Sequence, residues 1–75
     1  MKSIYIIKDI LNCNKKNAEL VLYQLYKYTL FSDLYFSYIE RMEYKKDGYI
    51  VTTNTSQFFV KIDKSCFFVF FVEKI

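Results

Sequence analysis

The sequence predicts an α+β fold: two N-terminal helices, then a three- or four-stranded antiparallel meander with the helices packed on one face. Three observations carry this. Apolar residues recur at three- and four-residue intervals as far as Phe31, then give way to β-rich runs separated by short turn clusters. One glycine and no proline leave Asn, Asp, Ser and Lys to mark the turns. The chain closes on Cys66-Phe67-Phe68-Val69-Phe70-Phe71-Val72, seven residues without a polar side chain, four of them phenylalanine. That run is far shorter than the roughly 20 residues of a membrane-crossing helix. Its Phe and Val content favours a strand.

The elements follow in order. From Ser3 to Asn12, Ile4, Ile7, Ile10 and Leu11 fall at helical spacing among Lys2, Lys8 and Asp9, which predicts a short amphipathic helix. Asn12-Cys13-Asn14 interrupts it, and either asparagine suits the cap of the next helix. That second helix is expected from Lys15 to Phe31, burying Ala18, Val21, Leu22, Leu25, Tyr28 and Thr29. Ser32-Asp33 marks a break. Residues 34–44 are ambiguous: the helical period fits Leu34 to Ile39, whereas a strand fits from about Arg41. A turn at Lys45-Lys46-Asp47-Gly48 follows, with Gly48 expected to supply a positive φ. Tyr49 to Thr53 and Gln57 to Ile62 read as strands, separated by Asn54-Thr55-Ser56. Asp63-Lys64-Ser65 turns into the final run. Sequential strands with short loops pair most simply as an antiparallel meander.

Strict alternation along a strand assigns its faces. With Phe58, Val60 and Ile62 turned inward, Phe59, Phe67, Val69 and Phe71 are expected to point away from the helices. Those four are the candidate protein interface, because a contiguous exposed apolar patch marks an interaction surface. The last strand also lies at a sheet edge, where another chain's edge could pair with it.

The 75 residues fit one domain, 1–75. A chain this small buries only a little over ~60% of its unfolded surface and is commonly helped by oligomerisation. Hydrophobic content of 53% and aromatic content of 21% exclude a disordered chain. A net charge of +3 is mild: it permits contact with nucleic acid or an acidic protein surface, although a dedicated polyanion binder is usually more basic and more clustered. Histidine is absent, which removes every Ser-His-Asp or Cys-His arrangement and any imidazole ligand. Lone Gly48 builds no phosphate loop. No catalytic residue, cofactor site or metal site is expected. Cys13 and Cys66 form no metal-ligand pattern and read as reduced thiols, although a disulfide between them is open. Without a signal peptide, the chain reads as cytoplasmic, in the host cell if the source is viral.

Ile7 and Leu11 on the first helix, the Asn12-Cys13-Asn14 turn, then Ala18, Val21, Leu22 and Leu25 on the second make a short helix-turn-helix pattern. The segment Ile6 to Lys27 thereby resembles the core of helix-turn-helix and winged-helix domains. In the winged-helix proteins that bind left-handed duplexes, the recognition helix carries Lys, Asn and Tyr at four-residue spacing. Lys15 and Tyr23 match the outer two positions, and Glu19 replaces the asparagine. The resemblance implies a DNA-binding regulator that uses the helix starting at Lys15. Lys15 and Lys16 at that helix's N-terminus, Tyr23, and a wing-like Lys45-Lys46 tip are the candidate nucleic-acid or anion contacts.

The first expectation is nonetheless a small non-enzymatic protein-interaction module, acting on another protein or as a homodimer. Its Lys-, Asn-, Ile-, Tyr- and Phe-rich usage matches an AT-rich genome. That suggests a phage or mobile-element protein that inhibits a host protein or defence complex, as anti-CRISPR proteins do. DNA binding is the alternative.

Overall fold

A computed structural model describes residues 2–28 and 39–75. Helix α1 spans Lys2–Leu11 and α2 spans Lys15–Tyr28; strands β1 (Ile39–Lys45), β2 (Gly48–Thr53), β3 (Gln57–Asp63) and β4 (Phe68–Lys74) follow. The expected extension of α2 through Thr29–Phe31, the Ser32-Asp33 break and residues 34–38 of the ambiguous segment lie outside the described residues. Its remainder is strand, beginning at Ile39 rather than Arg41.

The two asparagines divide the work at the helix junction. Asn12 adopts φ 51°, the left-handed conformation that ends a helix. Around it, Cys13 N–H donates to Lys8 O at 3.1 Å and Asn12 N–H to Asp9 O at 3.3 Å. This six-to-one and five-to-two pattern satisfies carbonyls that α1 would otherwise leave open. Asn14 caps α2, its Oδ1 accepting from Asn17 N–H at 2.8 Å.

The strands pair antiparallel in the order β1-β2-β3-β4. Their inner face meets both helices: α1 lies against β1 and α2 against β4. Ile7, Leu11, Ala18, Val21 and Leu25 from the helices pack with Ile39, Met42, Val51, Phe58, Val60 and Val69 from the sheet. Ser3, fully buried, accepts a hydrogen bond from Ile39 N–H at 3.1 Å and pins α1 to the start of β1. Among the described residues no helix is long and apolar enough to cross a membrane.

Two features depart from the expected strand geometry. Gly48 has no positive φ; Lys46 carries it instead, at 58°. Glycine is needed at 48 for space, because a Cβ there would sit 2.5 Å from Phe59 Cζ and 2.8 Å from Val60 O. The second departure is in β4. Val60 opposes Val72 and Lys61 opposes Phe71, but Ile62 opposes Val69, so one extra residue is inserted. This β-bulge resets the alternation. Val69 and Val72 both face the core, and Phe70, Phe71 and Phe68 are left in water.

Candidate protein-docking surface

The outer face of β3 and β4 is built around Phe59. With no Cβ at Gly48, the Phe59 ring can lie across β2. The Phe71 ring meets it edge-to-face, with centroids 6.3 Å apart and planes at 67°. Lys61, paired across the ladder with Phe71, places Nζ 5.7 Å from that ring's centroid and 6.0 Å from that of Phe59. The same ammonium reaches Asp47 Oδ2 at 3.2 Å, tying β3 to the β1–β2 turn. The hydrogen bond from Lys61, helped by the turn backbone, holds the Asp47 carboxyl below the usual carboxylate range.

Beyond this cluster the surface turns apolar. Phe68 is 54% exposed, Phe70 51% and Phe71 38%. At about 200 Å² per ring, these fractions leave roughly 300 Å² of aromatic surface in water. That is the size of the largest patch on an ordinary monomer, which is often a working surface.

The edge of β4 is treated quite differently. Ile75 N–H donates to Gln57 O at 2.9 Å, which fixes the ladder parity and turns the main-chain groups of Val69 and Val72 outward. Helix α2 meets the first of these. Gln24 Oε1 accepts from Val69 N–H at 2.9 Å, Gln24 Nε2 donates to Phe67 O at 2.7 Å, and Tyr28 O–H donates to Val69 O at 3.2 Å. Gln24 thus occupies the place of a neighbouring strand. The bulge and the Glu73-Lys74 charges blunt the rest.

The four interface candidates therefore separate. Phe71 is on the outer face, and Phe59 lies there half-buried beneath Lys61. Val69 is a correction: at 1% exposure it belongs to the core, because the bulge reverses its facing. Phe67 is a second correction. It precedes β4 in a turn with φ 55°, half-buried, and packs against the core. Phe68 and Phe70, read by alternation with the inner set, are the exposed pair instead. Lys61, Asp47 and Gln24 were not singled out by sequence. The adjacent doublets Phe67-Phe68 and Phe70-Phe71 carried the only available signal, since neighbours on a regular strand cannot share one face.

The nucleic-acid candidates lie on different elements. Lys15 and Lys16 are exposed at the start of α2, and Tyr23 lies two turns further along the same helix, beyond Glu19. Lys45 and Lys46 are exposed at the far end of β1 and in the following turn. Both cysteines are free. Burial pushes the half-buried Cys13 thiol up, against the opposing pull of Lys64 and Lys8, while Cys66 is exposed in the β3–β4 turn. No protein family, curated protein or solved structure matches the chain.

Proposed function

We propose that the chain is a non-enzymatic protein-interaction module that docks through the outer face of β3 and β4. The observation that supports this most directly is the exposure of Phe68, Phe70 and Phe71 on a strand whose edge is blocked by Gln24 and Tyr28. The contact is then face-on rather than strand addition. A second copy is the partner this patch fits: a two-fold contact sets identical apolar surfaces against each other and requires no opposite charge. Stable interfaces bury about 800 Å² per partner, so the phenylalanines form the centre of the contact and their polar surroundings the rim. Residue usage adds a narrower form of the reading, a phage or mobile-element protein whose docking inhibits a host protein or defence complex.

Light scattering across a concentration series tests the proposal. The wild type is expected to dimerise, and Phe70→Ser with Phe71→Ser to be monomeric with an unchanged circular dichroism spectrum. A wild type that stays monomeric at all concentrations, indistinguishable from the double variant, overturns it.

A further inference from the structure

A separate concavity lies in the helical layer, on the side of the molecule away from the sheet's outer face. A cavity of about 150 Å³ is lined by Ile4 from α1 and by Glu19, Leu22, Tyr23 and Tyr26 from α2. The three polar or aromatic lining residues fall at four- and three-residue steps on α2, so one helix face presents them together. Ile4 and Leu22, 8% and 4% exposed, form an apolar base. The Tyr23 and Tyr26 rings stand at 81° with centroids 6.4 Å apart, two walls close to perpendicular. Glu19 is half-buried beside them and, among the described residues, holds no ion pair. Lys15 and Lys16 precede it by four and three residues, near enough to pair on a helix, yet neither does.

We propose that this cavity binds an alkylammonium group, with Glu19 supplying the negative charge and Tyr23 and Tyr26 the ring walls. The chemistry selects this class. A small hydrated metal ion needs several oxygen, nitrogen or sulfur ligands. Among the described residues, no group of three such side chains could hold one. A methylated ammonium carries its charge on an apolar surface, loses little hydration on entering, and is attracted by ring faces. The inference is independent of the sheet-face reading, because no residue is shared between the two sites.

The test is an NMR titration of the tyrosine ring signals with tetramethylammonium chloride, against sodium chloride at matched ionic strength. Saturable shifts of Tyr23 and Tyr26 are expected from the organic cation alone. Glu19→Gln and Tyr23→Ala should each weaken binding about tenfold, as loss of a desolvated cation contact implies. Tyr23→Phe should retain it, and Leu20→Ala, an exposed neighbour outside the cavity, should leave it unchanged. A second arm uses an acetylated trimethyllysine amide. Tighter binding than tetramethylammonium identifies a side chain as the natural source, and equal binding a free quaternary amine. Identical responses to both salts, or wild-type binding by Glu19→Gln and Tyr23→Ala, overturns the proposal.

Discussion

β1 and β4 hold the same position in the fold, one at each edge of the sheet, yet their outward faces are opposite in character. β1 presents Arg41, Glu43 and Lys45, with Arg41 Nε 4.0 Å from Glu43 Oε2 in a solvated pair. β4 presents Phe68, Phe70 and Phe71. A charged outer face is the ordinary way for a half-covered antiparallel sheet to meet water. β1 shows that this chain uses it. The departure is confined to β4 and its neighbour β3, and even there the edge is protected while the face is left apolar. Exposure on the face beside protection at the edge is the combination on which the docking proposal rests.

The largest effect should separate the two sides of β4 itself. Val69→Asp puts a carboxylate into the apolar core, where Val69 is 1% exposed and pairs with Ile62 across the ladder, and should cost about 4 kcal/mol or more, enough to unfold a domain this small. Phe71→Asp removes one edge-to-face contact and places a carboxylate beside Lys61, for a change of about 1 kcal/mol. Urea denaturation of the two variants checks this. Similar losses at both positions would remove the distinction between a core face and a docking face.

Next in size is the edge. Gln24→Ala deletes three side-chain hydrogen bonds, one of them to Leu20 O on its own helix, and leaves Val69 N–H and Phe67 O without their helix partner. A loss of about 2 kcal/mol is expected, mostly from the unsatisfied groups. Amide exchange at Val69 should quicken, and the variant should aggregate through strand pairing even when Phe70 and Phe71 are both serine. If aggregation instead vanishes with the phenylalanines, the edge was never the hazard that Gln24 guards against.

These two predictions turn on features of very different legibility. The helices, the order of the strands and the places of the turns could be read from periodicity and from Asn, Asp and Ser, because those signals are local. That the last turn runs on through Phe67, or that Lys46 rather than Gly48 takes the positive φ, could not. The strand boundary at Ile39 was blurred, since Leu34 to Ile39 satisfies a helical period. Which face Val69 takes depends on an inserted residue opposite Lys61 and Ile62, and no single strand records its partner's register. Gln24 meets Val69 across 45 positions, a contact that only the finished packing creates. The candidate site was thus legible as a strand and illegible as a face.

Gly48 offers a smaller test of the outer cluster. The residue is glycine because the Phe59 ring and Val60 O occupy the space of a Cβ. Gly48→Ala should destabilise by about 1–3 kcal/mol through overpacking. Combining it with Phe59→Ala should recover part of that loss, because the ring can yield while the carbonyl cannot. Additive losses in thermal melts would show that Phe59 does not depend on the glycine.

The smallest expected effect concerns the clasp over those rings. Asp47 titrates below its unfolded value, chiefly because Lys61 donates to it, so its contribution is complete above the unfolded carboxylate pKa of about 3.9. It fades as pH falls through the lower folded value. Asp63, held down by Ser65 in the β3–β4 turn, fades in the same acid range, so acid melts of the wild type alone cannot separate the two. Asp47→Asn does separate them. The variant should melt slightly below the wild type at neutral pH, and the gap should close as the pH falls through the lowered folded value of Asp47. Since Asp47 is exposed, added salt should also narrow the gap at neutral pH. Lys61 would still hang over Phe59 and Phe71 in acid, because a cation–π contact needs no carboxylate. A gap that persists unchanged in acid would mean that Asp47 acts through the turn backbone, and that the rings hold Lys61 without it.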